Sequence, residues 1–173
     1  HDKPDPSARH AIDDVGADCL TVRLATPVWH RHHGKHAPLR HVLPGSIGKV
    51  VLEELIRRRE ELGVTRVLAL VRASDPEHAD ARLRADVVAS ACFAEHAPGW
   101  EKRVEAIAGD LTKPGLGLAP GVRERIAAEV THVIHCAASV EFNLPLVEAT
   151  AVNTGGALAA LDVARECRRL ASF

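Results

Sequence analysis

The 173 residues carry 22 Lys and Arg against 23 Asp and Glu, a net charge of −1, and 46% of them are apolar. That balance suits one globular domain with its own core and leaves no basic field to attract nucleic acid or anionic lipid. No apolar run reaches the roughly 18 residues of a membrane helix, and the N-terminus does not read as a signal peptide. Cys19, Cys92, Cys136 and Cys167 are scattered and form no Cys-x-x-Cys pair, which points to reduced thiols in a cytoplasmic protein rather than to zinc or disulfides. The chain has no Tyr, so no tyrosine general acid is available. His1 in place of Met reads as a fragment or a processed chain.

Residues 1–41 form an irregular leader, disordered or foreign to the rest of the chain. Seven of the eleven His lie there, with Pro4, Pro6, Pro27 and Pro38, and the one hint of regular structure is a short strand at 20–24. His30, His32, His33 and His36 have the residue type for a transition metal. No Cys or carboxylate completes a shell beside them, and Gly34 and Pro38 disfavour the helix that would gather them, so no metal is assigned.

From 42 to 173 the pattern becomes regular. Residues 47–62 carry apolar side chains at Ile47, Val50, Val51, Leu55, Ile56 and Leu62 with charges between, an amphipathic helix that Gly63 stops at the C′ position. Residues 65–73 (TRVLALVRA) are almost wholly apolar, as a strand buried on both faces should be. A second helix is expected over 78–93, a strand over 104–111, a helix over 120–130, a strand over 131–138 and a long helical region over 146–170. Strand and helix alternate, which specifies parallel strands joined by crossover helices. The fold class is α/β, a doubly wound parallel sheet of Rossmann-like type, incomplete at its C-terminus.

In a dinucleotide-binding fold a strand feeds a glycine turn, and the following helix points its N-terminus at the pyrophosphate. Gly45-Ser46-Ile47-Gly48 stands directly before the first helix and matches the second and third glycines of Gly-x-x-Gly-x-x-Gly. Val42 stands where the first glycine belongs, and a helix also begins with glycines for structural reasons alone. The next strand ends in Arg72 rather than in an acidic residue. A guanidinium there suits a 2′-phosphate, hence NADPH, or else simply caps the strand in solvent. Asp110 ends the following strand, placed to meet an adenine amino group or to cap its own turn. Ala137, Ala138 and Ser139 follow the last strand, small enough for a flat ring to approach the backbone.

The series Gly45-x-x-Gly48-Lys-Val-Val-Leu-Glu-Glu-Leu, LVRA at 70–73, GDLT at 109–112, HCAASVEF at 135–142 and Asn153-Thr-Gly-Gly156 resembles the extended short-chain dehydrogenase/reductases. Within them it is most similar to the fatty acyl-CoA reductase and thioester-reductase branch, also called male-sterility-protein type. The resemblance runs from about Gly45 to Phe173. It implies that Gly45, Ser46, Ile47 and Gly48 face the pyrophosphate, Arg72 the 2′-phosphate, and Asp110 with Leu111 the adenine. It places Ala137, Ala138 and Ser139 at the nicotinamide ribose and Asn153 at a structural or relay position in the long helix. Asn153 also reads as a helix residue bonded to a nearby carbonyl.

The resemblance implies that the whole protein reduces an acyl-CoA or an acyl-carrier thioester with NADPH to a fatty aldehyde or alcohol. The alternatives are a thioester reductase domain for carrier-bound chains, or a non-catalytic nucleotide-binding module. The family's Tyr-x-x-x-Lys pair is not in this chain, so no catalytic residue is assigned and the chain is expected to be inactive. The resemblance also fails before Gly45. Residues 39–43 (LRHVL) are the only ones available there for a first strand, and they are short and charged. Without that strand, its neighbours in the sheet are expected to lack partners.

Overall fold

The computed structural model describes residues 19–24, by their backbone, together with 47–139 and 143–173. Four strands form one sheet in the order β3-β2-β1-β4. They are β1 (Cys19–Leu24), β2 (Val64–Arg72), β3 (Val104–Gly109) and β4 (His132–His135). The helices are α1 (Ile47–Arg57), α2 (Arg59–Leu62), α3 (Pro76–Arg82), α4 (Pro120–Glu129), α5 (Leu146–Thr150) and α6 (Gly156–Arg165).

Local chemistry explains most of these boundaries. Gly63 adopts φ 67° and closes α2 in the left-handed conformation that lacks a Cβ penalty. Asp75 caps α3 by accepting a hydrogen bond from the His78 amide at 2.8 Å, and Pro76 supplies the preset φ of the first turn. Pro120 opens α4 in the same way. The helix expected over 78–93 is shorter than its apolar pattern suggests. It passes from α3 into a single wide turn at Leu83–Val88 and then a tight one at Ala91–Phe93.

Strand β2 sorts its side chains by the two-residue period of a pleated strand. Val67, Ala69 and Val71 pack with Leu52, Ile56, Ala79, Leu83 and Phe93 under α1 and α3. Leu68 and Leu70 pack with Ile107, Ile126, Val133, Ala160 and Val163 under α4 and α6. Helices thus cover both faces, the doubly wound arrangement expected.

The centre of the sheet departs from expectation. β2 and β3 run parallel, and β1 is antiparallel to both β2 and β4, so β4 runs the same way as β2 and β3. The slot between β2 and β4 is filled, contrary to the expected loss of partners, and it is filled by Cys19–Leu24 within the stretch read as irregular. Residues 39–43 and the His30–His36 cluster lie outside the described residues. Beyond β4, the Val133 amide donates to the Ser172 carbonyl at 3.0 Å and His132 and Ser172 form a parallel bridge. A further strand position therefore begins near Ser172, as the alternation predicts.

Candidate cofactor site

Parallel β2, β3 and β4 release their chains at one edge of the sheet, where crossover folds collect their ligand-binding loops. The edge is level, because Cys19 pairs with both Leu70 and His135 and Arg72 pairs with Gly109. The residues leaving it are Arg72, Asp110 and the run Ala137-Ala138-Ser139.

Arg72 and Asp110 meet, with the guanidinium Nε 3.7 Å from the carboxylate Oδ2. Asp110 also accepts hydrogen bonds from the Thr112 amide at 2.9 Å and the Thr112 hydroxyl at 2.7 Å. Burial opposes its charge, but the Thr112 bonds, with Arg72 and Lys113 nearby, outweigh burial and hold the carboxyl below its ordinary value. Its own amide donates to the Leu116 carbonyl at 2.8 Å. The loop is fastened at backbone and side chain together. Leu111 turns inward against Gly156 at the start of α6.

Ser139 and Asn153 form the second pair. The Asn153 Oδ1 accepts from the Ser139 amide at 2.7 Å, and its Nδ2 donates to the Ser139 carbonyl at 3.0 Å. One carboxamide thus holds both polar groups of one residue's backbone, fourteen residues upstream. Asn153 sits in a wide helical turn, Ala151–Gly155, between α5 and α6. Such turns displace side chains from the regular helical positions and recur at functional sites. Ala137 is buried and Ala138 exposed.

The remaining expected residues divide at the start of α1. Gly45 and Ser46 lie outside the described residues. Ile47 is 70% exposed as the first residue of α1, and Gly48 is buried in its first turn.

Two residues were not singled out in the sequence. Arg82, in the last turn of α3, donates from Nη1 to the Arg72 carbonyl at 2.8 Å, which brings a second guanidinium to the end of β2. Its sequence signal is only a basic residue in the last turn of a helix that starts just beyond the strand. His135 closes β4 with a buried Nδ1 that has no hydrogen-bond partner, and burial pushes its imidazole below the usual histidine value. Among the described residues no cluster of His, Cys, Asp and Glu could hold a metal ion, and no helix is long and apolar enough to cross a membrane.

The donor set fits a nicotinamide dinucleotide. Cations gather at the end of β2, small residues follow β4, and a helix N-terminus stands at Ile47. Comparisons with known proteins give the family. A family model described as male sterility protein matches residues 43–173. Fatty acyl-CoA reductase wat of Drosophila melanogaster is 33% identical over 125 residues, 70% of this chain and 23% of that protein. The L-2-aminoadipate reductase large subunit of Penicillium chrysogenum is 34% identical over 119 residues, 69% of this chain and 8% of its own length. The crystal structure of the terminal R domain from the myxalamid PKS-NRPS biosynthetic pathway superposes with a TM-score of 0.59 at 26% identity, over 73% of this chain and 30% of that one. The chain therefore spans about a quarter or less of the length of these curated relatives.

Proposed function

The chain belongs to the male sterility protein family of NAD-binding domains, and from that premise we propose that it forms the cofactor-binding portion of an NADPH-dependent fatty acyl-CoA reductase. The observation that carries the choice of cofactor is Arg72 at the end of β2, oriented by Asp110 at 3.7 Å. A carboxylate at that strand end would accept from ribose hydroxyls. A guanidinium instead offers paired donors to a 2′-phosphate, and Arg82, bonded to the Arg72 carbonyl, adds a second charge beside it.

The other positions take supporting roles. Gly45, Ser46, Ile47 and Gly48 would hold the pyrophosphate at the N-terminus of α1, and Asp110 with Leu111 would border the adenine. Ala137, Ala138 and Ser139 would line the nicotinamide ribose, and Asn153 fixes the Ser139 backbone that presents them. When bound, the dinucleotide supplies the hydride that reduces an acyl thioester to the aldehyde or alcohol. With no Tyr in its 173 residues, the chain holds no tyrosine to protonate the oxygen formed, and we assign it no reductase activity of its own.

A second reading is a thioester reductase acting on carrier-bound acyl chains. It is favoured by the similarity to the aminoadipate reductase and to the terminal R domain. A cytoplasmic location suits the unoxidised thiols of Cys92 and Cys167.

The test is a titration of both cofactors. Arg72→Ala should weaken NADPH binding by about ten- to a hundredfold, the worth of a hydrogen bond to a charged group, and leave NADH within about twofold. Equal loss for the two would make Arg72 a structural residue.

A further inference from the structure

The loop from β3 to α4 turns back on itself through three left-handed residues in a row. Gly115 has φ 60°, Leu116 φ 61° and Gly117 φ 62°. Glycine adopts that conformation freely, but in leucine it forces the Cβ against its own backbone. Among the described residues, Leu116 is the only non-glycine with a positive φ. Its side chain is 4% exposed and packs in the core with Leu70, Ile107 and Ile126. A strained residue of this kind persists only where its surroundings fix it, and such residues gather at ligand clamps.

The turn delivers its effect at the other end of the loop. The Leu116 carbonyl accepts the Asp110 amide at 2.8 Å, and the Leu116 amide donates to the Lys113 carbonyl at 3.0 Å. The Lys113 amide in turn donates to the Asp110 carbonyl at 3.0 Å. Both backbone groups of Asp110 are therefore satisfied inside the loop, and a right-handed Leu116 would swing its carbonyl away from them. Thr112, which binds the Asp110 carboxylate, belongs to the same loop, so its bonds do not tie Asp110 to the core. The apolar side chains do. Leu111 holds one side of the loop against Gly156, and Leu116 holds the other.

We propose that Leu116 is a positioning residue for the adenosine half of the cofactor: its buried side chain and left-handed backbone together set Asp110 beside Arg72. The ligand in this statement rests on the NADPH reading above, whereas the placement of Asp110 does not.

Three variants of the full chain test it, with NADPH and adenosine 2′,5′-bisphosphate as probes and amide exchange as a second readout. Leu116→Val stays apolar but is β-branched, which excludes the left-handed conformation. Gly117→Val strains the same turn from an exposed position, so it opens no core and decides the matter if Leu116→Val does not fold. Both should bind either probe about tenfold more weakly, the worth of one hydrogen bond to a charged group. In both, the Asp110 amide should exchange faster while the Ser139 amide keeps its rate. Leu116→Met keeps the volume without a branch, and a small cavity bordered by Leu70, Ile107, Leu118 and Ile126 gives its side chain room. It should bind both probes within about twofold of wild type. Wild-type affinity in a folded valine variant overturns the proposal. So does faster exchange at Ser139 and Asp110 alike, which would mean general loosening, and so does a Leu116→Met chain as weak as Leu116→Val. If no chain binds either probe while the Asp110 amide still loosens in the valine variants, the cofactor reading falls and Leu116 keeps its hold on Asp110.

Discussion

His135 ends the strand nearest the Ala137-Ala138-Ser139 run, and its buried Nδ1 has no partner. Burial depresses its imidazole and that of His132 below 6.5. Both are therefore neutral in the fold over a range where the unfolded chain takes up protons. Stability from this source is complete above the unfolded value and falls as pH drops from about 7 toward the lowered folded values. His135→Leu removes one proton site and the unpartnered nitrogen together. Thermal melts of that variant should flatten between pH 7 and 5; an unchanged slope would mean His135 is solvated. Asn153 makes a different kind of contribution. Asn153→Ala should cost about 1–2 kcal/mol, two hydrogen bonds at about 1 kcal/mol each, or about 2–8 °C in a chain of this size. The Ser139 amide should also exchange faster. Asn153→Asp keeps the acceptor and loses the donor, so it should recover only part. Identical melts for wild type and Asn153→Ala would remove the clamp.

The turn after β3 shows how one element holds Asp110, a residue proposed to border the adenine, in place. A Cβ on Gly109 would lie 2.5 Å from Leu70 Cδ1 and 2.7 Å from the Leu116 carbonyl oxygen. The second contact is backbone, and that carbonyl accepts the Asp110 amide. Gly109→Ala should therefore cost about 1–3 kcal/mol from overpacking, and it should weaken NADPH binding beyond that by displacing Asp110. Unfolding by denaturant and a cofactor titration check the two parts separately; wild-type stability would refute the close contact. The elements most legible in the sequence were those with a strong local signal. The 3.6-residue period and Gly63 mark α1 and α2, and the apolar run marks β2. β4 spans only His132–His135 of the run expected to 138, because Cys136 to Ser139 leave the ladder for the site. The wide turn at Ala151–Gly155 is invisible to a helical period, since the apolar spacing on either side of it remains helical. Arg72, Asp110 and Ser139 were legible as strand ends. The contacts that Arg82 and Asn153 make with them were not, because pairings across ten or more residues depend on how helices lie on the sheet.

At the scale of the fold, one sheet joins two apolar cores among the described residues. Val67, Ala69 and Val71 anchor one, and Leu68 and Leu70 anchor the other. The sandwich was legible from alternation alone. The direction of its central strand was not, because six apolar-rich residues fit a buried slot either way and local pattern carries no polarity. The two cores share β2, so cofactor bound at its carboxyl end should stabilise the fold as a unit. At NADPH a hundredfold above its dissociation constant, mass action adds about 2.7 kcal/mol, or about 5–11 °C at about 2–4 °C per kcal/mol. Arg72→Ala should lose most of that rise at the same NADPH concentration. Under the saturating condition, where the melt certifies that cofactor is bound, addition of a long-chain acyl-CoA should produce no loss of nicotinamide absorbance. Hydride arriving at a thioester carbonyl leaves an oxyanion that must take a proton, and this chain has no Tyr to give one. Acyl-CoA-dependent oxidation of NADPH by the purified chain would mean that another residue acts as the acid, and the assignment of binding without turnover would fall.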